Sequence, residues 1–278
     1  MTTTIDTAPE ARYAEFADMS PDLALKEYRW VIEDGILNQP RSLQKRIGPS
    51  EIGDPCDHCL AAKLAGWTKT DDGIPWLPAI GTATHAFLEE LFIRHENQRG
   101  AQHNGGLRYL TERRVSVGEI GDQDITGSTD LFDTVAGMVI DHKIVGASTL
   151  KQARTKGAKP QYRVQAHLYG RGWTRAGFNV RHVAVCFLPR NDVSLNNAIY
   201  WHEPYDEQIA LDALERANQL HRNITALTSV SEDARDAWIT SLPRDSSCWD
   251  CARYPDGTGQ TKPGHAAPQE AFAGLLPQ

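Results

Sequence analysis

Long hydrophobic runs are missing from these 278 residues. No stretch of about eighteen apolar residues occurs, so the sequence predicts no membrane-spanning helix and no membrane partner. The Met1-Thr2-Thr3-Thr4-Ile5-Asp6 start carries no basic-then-apolar signal segment, which makes the cytoplasm of a bacterial or phage-infected cell the expected location. An excess of positive charge is missing as well. Lys and Arg number 29 against 36 Asp and Glu, a net charge of -7, so any nucleic-acid contact must come from a local basic patch. There is no Gly-x-x-x-x-Gly-Lys-Ser/Thr phosphate loop, which excludes a recognisable ATPase within the chain. Cysteines are few, five in all, and in a reducing compartment they do not read as a disulfide scaffold. What is present argues for a real core: hydrophobic residues make up 40% of the chain and seven are tryptophan.

Along the chain, residues 1–19 and 256–278 read as flexible tails, leaving a single domain over 20–255. Ser20-Pro21 has the cap and first-turn signature of a helix running to Leu37. Further helices are expected near 49–52, 79–94, 160–173, 205–227 and 231–242, with a polar loop over 95–106. Strands are expected near 108–117, 125–132, 138–145, 180–188 and 198–202. Helices before and after a cluster of strands predict a mixed α/β (α+β) domain, a central sheet flanked by helices.

Two places carry chemistry. The first is Gly127-Ser128-Thr129-Asp130 followed by Asp141-His142-Lys143. Alternation along 138–145 puts Asp141 and Lys143 on one face, and a turn over 133–137 lets the strand bearing Asp130 fold back beside Asp141. Two adjacent carboxylates repel unless a cation lies between them. Mg²⁺ or Mn²⁺, held by one or two carboxylates together with substrate phosphate, is the natural occupant, and a lysine aimed at the same point can stabilise a phosphoryl transition state. On the helix near 79–94, His85 and Glu89 share a face, and His85 is a ligand only if that helix crosses the two strands. Gln165 and Tyr169 lie one turn apart behind a basic stretch of Lys151, Arg154, Lys156 and Lys159, a combination suited to DNA phosphates and base stacking.

The second place is the pair of CxxC units, Cys56-x-x-Cys59 and Cys248-x-x-Cys251. Four thiolates in this pattern serve a tetrahedral zinc or an iron–sulfur cluster, and here they clasp segments 49–66 and 243–255 together. Cys186, between Val185 and Phe187, reads as an apolar strand residue.

Gly81-x3-His85-x3-Glu89, Gly127-x2-Asp130, Asp141-His142-Lys143 and Gln165-x3-Tyr169 occur in the order and rough spacing of RecB-like nucleases of the PD-(D/E)xK superfamily. With a cysteine upstream and a CxxC downstream, residues 45–255 resemble the iron–sulfur exonucleases of the CRISPR-associated "Cas-four" family and their phage relatives. The resemblance implies a restriction-endonuclease-like core with metal ligation by His85, Asp130, Asp141 and the backbone carbonyl of His142. It implies Lys143 as the catalytic lysine, Gln165 and Tyr169 along the DNA path, and an accessory acid at Glu89. A metal-dependent exonuclease for single-stranded DNA ends follows, serving recombination or repair beside recombination or helicase proteins. The family pattern has one cysteine upstream and three downstream; here the arrangement is two and two, leaving [4Fe-4S], which the resemblance favours, another cluster type and zinc all open. The rival reading from another class is a non-catalytic, zinc-stapled DNA-binding protein.

Overall fold

A computed structural model describes residues 20–38, 47–70, 73–99, 106–246 and 248–256. Of the tails expected over 1–19 and 256–278, all but Asp256 lie outside the described residues, and Asp256 is held by His58 and Arg244 instead of belonging to a tail. Contacts divide the chain into two units, one of 1–44 with Gly73–Trp76 and one of Lys45–Asp72 with Leu77–Gln278. In the smaller unit the expected helix is α1 (Pro21–Leu37), whose capping Ser20 side chain accepts the Leu23 N–H at 3.3 Å.

The larger unit holds the sheet. Its helices are α2 (Pro49–Ile52), α3 (Asp57–Leu64), α4 (Trp76–Arg99, of which Trp76 is counted with the smaller unit), α5 (Ala147–Lys156), α6 (Pro160–Arg175), α7 (Glu207–Thr228) and α8 (Glu232–Ser241). Its strands are β1 (Tyr109–Ile120), β2 (Gln123–Asp133), β3 (Met138–Val145), β4 (His182–Pro189) and β5 (Ile199–Pro204), in spatial order β1-β2-β3-β4-β5. β3 and β4 run parallel, joined through α5 and α6, while the other neighbours are antiparallel. This is the mixed sheet flanked by helices that the sequence predicts. No helix among the described residues is long and apolar enough to cross a membrane.

Three elements differ from expectation, the first being α3 (Asp57–Leu64), a helix where the sequence predicts none. The polar segment after Arg94 is not loop at its start: α4 continues to Arg99. Glu96, buried in that last turn, accepts the Arg108 N–H at 2.9 Å and so ties the helix end to the start of the sheet. The basic stretch before α6 is itself helical, as α5. It buries only Leu150 and Ala153, too narrow an apolar stripe to stand out among its lysines and arginine.

The core lies where α6 and α7 meet the sheet, with Ala166, Leu168 and Trp173 of α6, Ala210 and Ala217 of α7, and Val139, Val183, Val185 and Phe187 of the strands all buried. Close approach of α6 to β1 depends on Gly172, because a Cβ there would collide with Val115 Cγ2 and sit 2.8 Å from its Cβ. Val115 is buried and stiff at χ1, so it does not swing aside. Gly172→Ala is therefore expected to lower unfolding free energy by about 1–3 kcal/mol, read from urea melts, while Gly81→Ala, inside α4 with nothing within 4 Å, is expected to raise it by about 0.4–1 kcal/mol.

Candidate active site and cysteine centre

The hairpin register directs Asp130 and Asp141 towards each other at the end of the β2–β3 pairing, but Asp141, expected as a ligand, is not among the donors within 4.8 Å, which are His85, Asp130 and His142. Leu131 pairs with Ile140, so one step further Asp130 stands opposite Asp141. Regular pairing stops there, because the Asp130 side chain takes over a backbone donor: its Oδ2 accepts the His142 N–H at 2.6 Å. The other oxygen, Oδ1, lies 3.1 Å from Nδ1 of His85. Helix α4 therefore does cross the strands, and its Phe92 packs against both Tyr109 and His142. The motif glycine instead serves the packing of α2 and α6 on β2, since a Cβ on Gly127 would come within 2.9 Å of Pro49 and of the Tyr169 ring.

Asp141 is buried with its Oδ2 2.8 Å from Lys143 Nζ, and the same ammonium donates to Gln165 Oε1 at 3.0 Å. The Lys143 ammonium also stands 5.0 Å from the Tyr162 ring, and Lys159 approaches that ring at 5.8 Å. Burial pushes the Asp141 carboxyl up to about 6, opposed by Lys143 and assisted by the negative charge of Asp130. Burial acts on Asp130 in the same sense but is outweighed by His85 and the His142 N–H, which hold it below the usual carboxylate range. The hydrogen bond to Asp130 raises the His85 pKa, while burial lowers that of His142.

One ligand atom from each of His85, Asp130 and His142 lies within 4.8 Å of the others. The His142 imidazole is thus a donor candidate that the sequence left aside, since its role there was its backbone carbonyl. A further acid was not visible in the sequence. Glu112, in β1, adopts φ 47°, the only positive φ outside glycine among the described residues, and its Oε2 accepts from Ser128 Oγ at 2.5 Å. Burial raises its pKa, Ser128 opposes that, and Asp130 and the half-buried Glu89 add to it, so Glu112 borders the same carboxylate cluster. A strained backbone at a charged residue beside paired acids is a mark of a functional site, and no residue pattern announces it.

Gln165 and Tyr169 are placed differently from expectation. Both are buried, and Gln165 Nε2 lies 3.5 Å from the Tyr169 hydroxyl. Tyr169 has no exposed ring face for stacking on a base, because its edge packs under Gly127. The pair instead backs Lys143. Lys151, Arg154 and Lys156 are exposed along α5, and Lys159 is half-buried at the start of α6.

The CxxC units come together. Cys251 Sγ lies 3.4 Å from Cys56 Sγ, 3.5 Å from Cys59 and 3.6 Å from Cys248, and Cys59 lies 3.3 Å from Cys248. Cys56 caps α3, and Cys251 opens a short 3-10 turn through Arg253. Backbone bonds stitch the two segments around them, from His58 N to Pro243 O at 3.3 Å and from Thr70 N to Arg253 O at 2.7 Å. Tyr254 donates to Cys59 O at 3.3 Å, and Trp67 packs on its ring. The hydrogen bond from Cys59 draws the Cys56 thiol down to about 4, while Cys59 and Cys251 are pushed up, Cys59 first by that shared proton and Cys251 by burial. Four thiols this close ionise together only around a cation. This buried cluster, joining early and late segments, can coordinate a metal. His58 was not foreseen: it is fully buried, its Nε2 is 2.8 Å from Asp256, and one ring nitrogen lies within 4.8 Å of the sulfurs of Cys56, Cys59 and Cys251. Cys186 stands apart in β4, where burial raises its thiol to about 12.

No protein-family model and no curated protein matches the chain. Among solved structures, the chain is similar to an alkaline exonuclease from Laribacter hongkongensis, with a TM-score of 0.40 and 11% identity over 71% of this chain and 95% of that one. It is also similar to a phage related exonuclease from Haemophilus somnus, with a TM-score of 0.35 and 14% identity over 57% of this chain and 72% of that one. Likeness at that level leaves function to the chemistry of the site.

Proposed function

We propose that the protein is a divalent-metal-dependent deoxyribonuclease that hydrolyses DNA from its ends, single-stranded ends above all, in recombination, repair or end processing. The observation that carries this reading is the buried lysine–carboxylate pair, Lys143 and Asp141, set opposite Asp130 with His85 and His142 at its edge. Carboxylate oxygens with imidazole nitrogens fit Mg²⁺ or Mn²⁺, and mutual repulsion between Asp130 and Asp141 is what such an ion would relieve. When bound, the ion supplies a Lewis acid for the phosphodiester.

The chain's own groups do the rest. Asp141 and Gln165 fix the Lys143 ammonium from two sides, so its charge is preorganised to meet the charge that builds on the phosphate. Asp130 orients His85 through Oδ1 and holds β3 through Oδ2. Exposed Lys151, Arg154 and Lys156 on α5, with Lys159 beside Tyr162, offer phosphate contacts leading to Lys143.

The test is digestion of end-labelled single-stranded, linear duplex and circular DNA with Mg²⁺ or Mn²⁺, with and without EDTA. Expected are metal-dependent loss of the linear single strand and survival of the circle. DNA binding with no product in either metal would instead support the non-catalytic, metal-stapled binding protein.

A further inference from the structure

Thiolates around one tetrahedral ion stand about 3.8 Å apart when each metal–sulfur bond is about 2.3 Å. In a [4Fe-4S] cubane each thiolate binds a different iron, and all four are held roughly 6 Å from one another. In a [2Fe-2S] cluster each thiolate has one near neighbour, on its own iron, and two remote ones at roughly 6 Å or more. Cys251 decides between these arrangements, because its sulfur lies 3.4, 3.5 and 3.6 Å from those of Cys56, Cys59 and Cys248. Three near neighbours for one thiolate fit a single shared ion and do not fit the wide spacing of a cluster. The 3.3 Å separation of Cys59 and Cys248 spans the two CxxC units and excludes a wide core between them.

We infer that Cys56, Cys59, Cys248 and Cys251 form a mononuclear, four-thiolate zinc site in place of the iron–sulfur cluster that the family resemblance implies. The two-plus-two spacing is the sequence counterpart of this geometry, since each CxxC spans one edge of the tetrahedron. The site is structural. Cys56, Cys59 and Cys251 are buried, Trp67 and Tyr254 pack over the segment, and four sulfurs leave no coordination position open to a substrate. His58, with Nε2 held by Asp256, is the one competing donor among the described residues. The inference does not rest on the nuclease reading.

The experiment uses the full chain, purified without oxygen from iron-replete cells, with metals and acid-labile sulfide quantified before and after anaerobic iron–sulfur reconstitution. One zinc per chain, no sulfide and a colourless solution are expected, unchanged by reconstitution. X-ray absorption at the zinc edge should show one shell of four sulfurs at about 2.3 Å and no metal–metal distance. Iron in place of zinc, with or without sulfide, overturns the inference, and so does a nitrogen in the shell, which would put His58 in place of a cysteine. Nuclease activity is read on the same sample, so an active iron protein overturns only the zinc site, and an inactive zinc protein overturns only the nuclease.

Discussion

Lys143→Met leaves at most about one hundredth of the wild-type rate of DNA hydrolysis, because the preorganised ammonium is the chain's own positive charge at the reacting phosphate. The same change removes the partner of the buried Asp141 carboxylate, 2.8 Å away, and breaking a buried pair from one side costs about 3–5 kcal/mol. Loss of activity in the single variant thus arrives together with loss of stability. The double variant Lys143→Met with Asp141→Asn separates them. With no uncompensated charge left inside, it regains most of the stability in urea melts and stays inactive. Rates on a labelled single-stranded oligonucleotide with Mg²⁺ or Mn²⁺ check the first half of this expectation, and the melts check the second. A double variant that still cuts would remove the pair from the reaction.

Cys251→Ser has the largest expected effect on the fold. Its sulfur is the only one shown within 3.6 Å of all three others, so its loss opens every face of the tetrahedron. Binding free energy at a structural zinc is folding free energy, about 10–16 kcal/mol in small zinc domains, and a ligand lost takes a large share of it. The Ser variant should retain no stoichiometric metal and lose at least about 3 kcal/mol of stability, with exchange protection lost first in α3, which packs on α7 and α8. A strong chelator on the wild type should reproduce the effect, and zinc should reverse it. Cys186→Ser, in β4 and outside the cluster, keeps the metal. A Cys251→Ser protein with full zinc and an unshifted melt would show that the centre does not hold the domain.

Period-two alternation made Asp141 and Lys143 legible, and the 133–137 turn brought Asp130 back to them; Gly137, at φ 59°, closes that turn. The CxxC units were legible because cysteine is scarce in this chain. Depth was not legible. A helical interval of four puts Gln165 and Tyr169 on one face, but only the packing of Gly127 against Tyr169 shows that this face is buried and works through Lys143. Glu112 escaped because its signal is a backbone angle, not a residue pattern. His58 escaped because, inside Cys56-x-x-Cys59, it reads as spacer, and only the fold brings Asp256 to its ring. Helix α5 escaped because its exposed lysines and arginine mask two small buried contacts.

Cys59 and Cys248 are 189 positions apart in the chain and 3.3 Å apart in space. During synthesis the second CxxC is made after all five strands and the helices that carry His85 and Gln165. A chain truncated before Cys248 therefore keeps every residue proposed to cut DNA but lacks the clasp, and N-terminal segments wait for their late partners. In the terms of synthesis, the cysteine centre can close only after the chain has passed Cys248 and Cys251.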